Sequence, residues 1–328
     1  MKKIIALLLL LTLLTGCTIA APQTTEPIDT TPVTEATLAT DPIETTEATE
    51  TTEATESAPA ELTAGDPDTL TVHFMDVAHA DGMLIECNGH FALVDVGMAD
   101  TSDRVLNYLA SRGVEKLDLV VGTHPHADHI GAMPAVLAEY QADTVWFSRI
   151  AYTNYTVTSF LNSVARQGKS VVRPENGTVF DLGGATITVL GPINDYHEDV
   201  NDISLVLMVQ YGDVRFLLTG DMESIAEKEL VESGADLKAD VLKVGHHGSY
   251  SSTSYIFLRE VMPTYAVISL ALGNEYGHPH DEPMSRLRDA GAIIFQTGKM
   301  YNIAATTDGT NISFKWDNKY AEPWTPSK

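Results

Sequence analysis

Residues 123–131 read Thr123-His124-Pro125-His126-Ala127-Asp128-His129-Ile130-Gly131. Four potential metal ligands, His124, His126, Asp128 and His129, crowd into this stretch. Imidazole nitrogen and carboxylate oxygen suit zinc, and also harder ions such as manganese. The run before it, Leu117-Asp118-Leu119-Val120-Val121-Gly122, is short, apolar and β-branched, so it reads as a buried strand. The run after it, 130–139, is helix-compatible. The ligands therefore fall on a loop at the carboxyl end of a strand, where open α/β folds place their sites. A histidine-rich surface loop is the plain alternative. The density of ligands, and the further candidates downstream, argue against it.

Three more polar clusters follow strand-like runs. Asp221 ends Phe216-Leu217-Leu218-Thr219-Gly220-Asp221. Its two oxygens could bridge two ions, or it could cap a helix expected over 222–233, since Asp is a favoured cap. His246 and His247 stand between glycines in Gly245-His246-His247-Gly248-Ser249, after an apolar run. His278 and His280 follow in Tyr276-Gly277-His278-Pro279-His280, where His278 is the better ligand candidate and His280 is expected to be exposed. Asp95, at the end of Ala92-Leu93-Val94-Asp95, either orients a ligand histidine by hydrogen bonding or simply ends its strand.

Outward from these sites, short strands are expected at 70–74, 82–87 and 90–95, with Asn88-Gly89 as a hairpin turn. Helices are expected at 102–112 and 159–167, and a strand at 144–148. The second half repeats the style. Strands are expected at 185–190, 204–211, 214–218, 239–244, 265–270, 293–296, 300–305 and 311–316, and helices at 222–233, 253–261 and 283–290. Hairpins opening each half, followed by alternating strands and helices, predict an α/β β-sandwich covered by helices on both outer faces.

The chain has 328 residues and a formal charge of −25. The globular domain is expected over 67–320, with 321–328 as a tail. It lacks basic runs with interleaved aromatics, which argues against a broad electrostatic grip on nucleic acid. The start is different. Met1-Lys2-Lys3 is basic, 4–14 is apolar, and Leu14-Thr15-Gly16-Cys17 follows, the layout of an export signal over 1–17. Residues 18–66 contain no Lys or Arg and repeat Thr-Thr-Glu-Ala-Thr-Glu at 45–50 and 51–56. Such a segment cannot bury enough apolar surface to offset its ordering entropy, and reads as a disordered acidic tether. Only two cysteines exist, and Cys87 lies in a strand-like pattern that suits a buried thiol.

Leu14-Thr15-Gly16-Cys17 resembles a bacterial lipobox. That resemblance implies that Cys17 carries lipid on the outer face of a bacterial cell membrane; ordinary signal cleavage before a free cysteine is the alternative. Across 68–318, Val94-Asp95-Val96-Gly97, the His-x-His-x-Asp-His loop, Thr219-Gly220-Asp221 and the later histidines resemble the metallo-β-lactamase superfamily. Within it the sequence is most similar to the ComEC-like branch, the hydrolase domain of DNA-uptake channels and of stand-alone exported proteins. Ile203-Ser204-Leu205-Val206-Leu207, the Gly-His-His-Gly-Ser block and 274–279 carry that likeness. Teichoic-acid phosphorylcholine esterases share the His-His-Gly-Ser block.

The resemblance implies an αββα four-layer sandwich holding two divalent ions, Zn or Mn. His124 and His126 would hold the first ion, Asp128, His129 and His278 the second, and Asp221 would bridge. Asp128, His246 and His247 would be catalytic, with one of the two later histidines a ligand and the other a phosphate contact or proton donor. The implied reaction is phosphoester hydrolysis by a hydroxide shared between the ions, on DNA, nucleotides or an envelope polymer; no protein partner is implied. Two departures stand out. Many members carry another histidine where this chain has Asn201-Asp202-Ile203-Ser204, and the branch usually has Val-Gly-Gln-Gly-Asp where this chain has Val77-Ala78-His79-Ala80-Asp81. Rival readings are a lactone or thioester hydrolase with the same centre, and a non-catalytic surface binding module.

Overall fold

A computed structural model describes residues 63–149 and 152–326. The expected export signal, Cys17 and nearly all of the expected tether lie outside the described residues. Two seven-stranded sheets form the centre. The first contains β1 (Leu70–Phe74), β2 (Gly82–Cys87), β3 (His90–Val96), β4 (Leu117–Gly122) and β5 (Ala142–Phe147). The second contains β6 (Val179–Leu182), β7 (Ala185–Gly191), β8 (Val206–Tyr211), β9 (Val214–Leu218), β10 (Val241–Lys243), β11 (Tyr265–Ile268) and β12 (Ile293–Gln296). β13 (Ile303–Thr307) and β14 (Ile312–Trp316) return to the first, giving the order β14-β13-β1-β2-β3-β4-β5 against β12-β11-β10-β9-β8-β7-β6.

Each sheet has an antiparallel part and a parallel part. Pairing is antiparallel from β14 to β3 and parallel from β3 to β5. It is antiparallel from β6 to β9 and parallel from β9 to β12. Parallel neighbours need crossovers, and helices supply them. The first sheet uses α1 (Ser102–Ser111), α2 (Ala127–Ile130) and α3 (Met133–Glu139), with α4 (Tyr155–Arg166) beyond β5. The second uses α5 (Ser224–Glu232), α6 (Tyr255–Val261) and α7 (Asp281–Asp289). A short α8 (Thr297–Met300) leads into β13.

Alternation along the strands explains the layers. Leu70, Val72 and Phe74 of β1, Met83 and Ile85 of β2 and Phe216 and Leu218 of β9 fill the space between the sheets. Leu84, Leu93 and Val120 face the other way, onto Val105, Val136 and Phe160 of α1, α3 and α4. Leu217, Leu242 and Ala266 do the same against Leu230, Phe257 and Leu287 of α5, α6 and α7. Strands buried on both faces need nearly continuous apolar runs, which is what Leu119-Val120-Val121 of β4 and Ala266-Val267-Ile268 of β11 show. The result is the four-layer αββα sandwich.

The structure departs from the sequence expectations in several places. β6 is an additional strand. The expected helix 130–139 is split: α2 ends at Ile130, and a β-carbon on Gly131 would sit 2.4 Å from Ala127 O, so the chain bends tightly there. The helix expected from 222 begins at Ser224, and Glu223 occupies its N-cap position. The chain after Tyr320 is tied down, since Trp324 and Ile294 exchange backbone hydrogen bonds of 2.9 Å along the β12 edge. Cys87 is buried and free, with Sγ 3.4 Å from Gly183 O.

Candidate metal centre

Parallel strands β3, β4, β9, β10 and β11 all end at one rim of the sandwich. The loops after them converge there, as expected for the carboxyl ends of strands in α/β folds. Asp95 ends β3, the 123–129 loop follows β4, Asp221 follows β9, and the two tandem histidines follow β10. The backbone is forced at these points. Gly220 adopts φ +53, with Ser204 and Thr123 at 3.0 Å from where a β-carbon would stand. His246 and His247 adopt φ +47 and +51. Left-handed backbone at non-glycine residues costs about 1–3 kcal/mol each and clusters at functional sites.

Among the described residues three groups of potential ligand atoms result; one, Asp81, Asp95 and His129, lies behind the other two, which share Asp221. Of those two, His124, His126 and Asp221 form one, and Asp128, His129, Asp221 and His247 form the other. His124 Nε2 lies 3.1 Å from His126 Nδ1 and 3.8 Å from Asp221 Oδ2. His129 Nε2 lies 3.1 Å from Asp221 Oδ2 and 3.6 Å from Asp128 Oδ2. His247 Nε2 lies 3.2 Å from Asp128 Oδ2 and 3.7 Å from Asp221 Oδ2. Ligand atoms about 2.0–2.2 Å from a shared tetrahedral ion stand roughly 3.3–3.6 Å from one another. The observed separations, 3.1–3.8 Å, bracket that span. Buried His129 Nε2 and Asp221 Oδ1 also lack hydrogen-bond partners, an arrangement that costs free energy unless something else satisfies them. The donor set therefore fits divalent metal.

Neighbouring groups set the ring orientations. Asp95 accepts from His129 Nδ1 at 2.8 Å, and from the Thr123 amide at 2.8 Å and hydroxyl at 2.7 Å. With its hydrogen spent on Asp95, Thr123 Oγ1 can accept from His124 Nδ1 at 3.1 Å, which leaves His124 Nε2 with its lone pair. Ser204 Oγ, 3.3 Å from the same His124 Nδ1, accepts from Asp221 N at 3.1 Å. His247 Nδ1 donates to Ser269 O at 2.9 Å, aiming Nε2 at the carboxylates. Partners of this kind fix histidine tautomers at metal sites.

The other sequence candidates occupy different positions. His278, expected beside Asp128 and His129, lies outside both ligand groups; its ring centroid is 6.4 Å from that of His247, and His247 stands in its place. His278 instead lines the cleft with His79 and Tyr276, the His79 and Tyr276 rings being stacked at 5.1 Å. His246 turns away from His247. Its Nδ1 is 2.8 Å from Glu223 Oε1 and its Nε2 is 3.9 Å from Asp221 Oδ2. Asn201 joins that pair, with Nδ2 3.5 Å from His246 Nδ1. Thus the segment 201–204 braces ligands rather than supplying one. His197 pairs with Glu229 at 3.2 Å and takes no part. His280 is half-buried, not exposed, because its Nδ1 accepts from Tyr250 N at 3.0 Å.

One member of the site carries no sequence signal. Lys243, inside β10 and fully buried, places Nζ 2.9 Å from Asp81 Oδ2. Asp81 Oδ1 is 3.5 Å from His247 Nδ1, and Asp81 N donates to Asp128 O at 3.2 Å. This buried ion pair underlies the second ligand group.

Electrostatics follow from the crowding of acids and rings. Burial opposes a charged His129, yet Asp221, Asp128 and Asp95 together hold its pKa well above the usual range. Burial likewise opposes a charged His247, but Asp221 and Asp128 raise its pKa. Burial raises the Asp221 carboxyl, but His129 and His247 more than reverse this and hold it well below the usual range. Protons on His129 and His247 thus stand where cations fit. Burial, helped by His129, keeps His124 neutral. His79 falls to about 4 and His278 to about 3, chiefly by burial.

The sign of the pH effect follows. In metal-free protein, the raised pKa values of His129 and His247 contribute stability that is fully present below about 6.5 and lost as pH rises through the folded values. Metal requires both rings deprotonated. Uptake of zinc or manganese should therefore release protons, and the apparent affinity should weaken as pH falls toward 6. Calorimetric titration in two buffers of different ionisation enthalpy measures this; equal heats in both would contradict it.

An αββα sandwich with acid and imidazole clusters at the strand ends is the arrangement of a metal-dependent hydrolase fold. The family model of the metallo-beta-lactamase superfamily matches residues 77–271, and the chain belongs to that superfamily. Its relatives include ComE operon protein 3 of Bacillus subtilis, 30% identical over 193 residues, covering 59% of this chain and 25% of that protein. Recombination protein 2 of Haemophilus influenzae is 32% identical over 265 residues, covering 78% of this chain and 31% of that protein. Competence protein ComA of Neisseria gonorrhoeae is 28% identical, covering 68% and 30%. The chain thus spans less than a third of the length of these relatives, and it resembles the ComEC-like competence proteins. Among solved structures, the metallo-beta-lactamase fold protein YhfI from Bacillus subtilis is similar at 15% identity with a TM-score of 0.49, covering 70% of this chain and 96% of that one.

Proposed function

We propose that the protein is a dinuclear phosphodiesterase. The observation that carries this reading is the position of Asp221, whose Oδ2 faces both His124 and His129. One carboxylate serving two adjacent ligand groups suits a pair of divalent ions, an arrangement that phosphoryl transfer uses; His124 and His126 would hold one, and Asp128, His129 and His247 the other. Bound there, such ions would supply activation of water at neutral pH and offset charge on the phosphoryl oxygens.

The chain's own residues do the rest. Asp128 and Asp221 orient the attacking water through their oxygens. Asp95, Thr123, Ser204 and Ser269 hold the ligand rings rigid. His246, backed by Glu223 at 2.8 Å and facing the cleft through Nε2, is placed to donate a proton to the departing oxygen. His79 and His278 form a neutral wall beside it, able to donate hydrogen bonds to phosphoryl oxygens. The cleft measures about 500 Å³, ample for a phosphodiester and its flanking groups. Turnover of bis-p-nitrophenyl phosphate tests the reading. Faster hydrolysis of a simple lactone or thioester than of this diester would replace it with an acyl hydrolase.

We also propose that the protein is exported and held at the outer face of a bacterial membrane through lipid on Cys17. The support is the sequence Leu14-Thr15-Gly16-Cys17 after a basic start and an apolar run. Cys17→Ala should shift the protein from the membrane fraction to the soluble one and abolish labelling with radioactive palmitate. Unchanged labelling would reject the anchor.

A further inference from the structure

Beside the metal cleft lies a second cavity of about 490 Å³. The two share Met98 and Ala127, so they form one continuous surface. One wall of the second cavity is made of small residues after the histidine loop, Gly131, Ala132 and Ala135. The other is a stripe on α4: Tyr155, Ser159, Asn162 and Arg166. Those positions recur at four, three and four residues, so they lie along one helix face.

The groove has a direction. Tyr152 Oη donates to Pro125 O at 3.4 Å, which seats the entrance to α4 beside the histidine loop. Gln167 Nε2 donates to Leu137 O and Tyr140 O, both at 2.7 Å, which pins the other end of α4 to the far end of α3. Tyr155 to Arg166 spans roughly 16 Å at 1.5 Å per residue. The groove therefore leads away from the metal cleft and ends at Arg166.

Among the described residues Arg166 is the only charged side chain lining this groove, and it makes no hydrogen bond or ion pair. An arginine in the last turn of a helix suits the helix dipole. That accounts for a cation at the helix end, not for a groove that runs from it to a catalytic cleft. The lining chemistry narrows the occupant. Hydroxyl and amide groups of Thr156, Ser159 and Asn162 suit hydroxyl partners, and a free guanidinium suits a phosphate. Nucleic acid is favoured by aromatic stacking platforms along a basic groove. Here one tyrosine stands at the mouth and one arginine at the end.

We propose that this groove is a second subsite of the same enzyme, holding an extended polyol-phosphate chain with one phosphate on Arg166 while another phosphodiester lies in the metal cleft. The proposal rests on the phosphodiesterase reading and names its substrate class. Arg166 is a positioning and specificity residue that touches the substrate far from the scissile bond.

The test uses the metal-loaded full chain and three probes. These are bis-p-nitrophenyl phosphate, which fills only the cleft, a synthetic glycerol-phosphate tetramer ending in a p-nitrophenyl phosphodiester, and a thymidylate tetramer with the same reporter. Arg166→Gln should raise KM for the glycerol-phosphate tetramer about fivefold with kcat unchanged, and leave bis-p-nitrophenyl phosphate unaffected. Arg166→Lys should recover part of the loss. An unchanged KM for the tetramer in Arg166→Gln overturns the subsite. A larger Arg166 dependence for the thymidylate tetramer overturns the polyol assignment in favour of nucleic acid. If no diester is turned over, the phosphodiesterase reading fails by itself, and calorimetric binding of the glycerol-phosphate tetramer decides the subsite. Weakening of about fivefold in Arg166→Gln supports it, and equal binding overturns it.

Discussion

Asp221→Asn should lower kcat for bis-p-nitrophenyl phosphate by at least about a thousandfold. The amide keeps the size and one oxygen of the carboxylate but loses its charge. Both ligand groups pass through this residue, at 3.8 Å from His124 and 3.1 Å from His129. Asp221 is also almost fully buried, so water cannot substitute for the missing charge. Its loss should act on both ions at once, whereas a change at His126 should weaken mainly the first. The effect is on chemistry and metal retention, so the folded chain should persist. Circular dichroism and steady-state kinetics on the same sample separate the two. A variant that keeps a tenth or more of its activity would remove Asp221 from the centre of the mechanism.

Lys243→Met should destabilise the metal-free protein by about 3–5 kcal/mol. The substitution preserves most of the aliphatic stem and deletes the ammonium. Asp81 then remains fully buried with its main charged partner gone. The mutual attraction of such a pair does little more than offset its desolvation, but breaking it exposes the full cost. Asp81 also touches His247 and donates its amide to Asp128 O, so the second ligand group should loosen as well. Replacing both members, as Asp81→Leu with Lys243→Met, should recover most of the stability without restoring metal affinity. Urea unfolding of both variants measures this. A loss below about 1 kcal/mol in the single variant would show that the pair is not a supporting element.

Much of this was legible in the chain because function and fold left dense local marks. The His-x-His-x-Asp-His loop is readable from spacing alone, and Asn88-Gly89 announces its hairpin through two residues that tolerate positive φ, observed at +49 and +78. Asp221 illustrates a case the sequence left open. A cap and a metal ligand look alike after a Gly, and only the later start of α5, with Glu223 at its N-cap position, separates them. The order of His246 and His247 was undecidable for a similar reason. Both have left-handed backbone, and this sets which ring faces Asp128 and which faces Glu223.

Other features depend on contacts between distant segments. Lys243 sits in an apolar run and offers no pattern of its own; its meaning comes from Asp81 in the opposite sheet's loop. β6 reads Val179-Phe180-Asp181-Leu182, short and mixed, and becomes a strand because β7 offers it an edge. The split between α2 and α3 arises where Gly131 packs against Ala99 and Ala127 backbone, a closeness that no local periodicity encodes. His278 keeps the sequence features of a ligand, yet its loop carries it to the wall of the cleft with His79 and Tyr276.

The count of metal ions bound per chain tests the central claim most directly. Elemental analysis of the chain after saturation with manganese or zinc and removal of excess should give two ions per wild-type chain, with marked loss in Asp221→Asn. A single ion in the wild type, or a count that Asp221→Asn leaves unchanged, would contradict a centre built on one shared carboxylate.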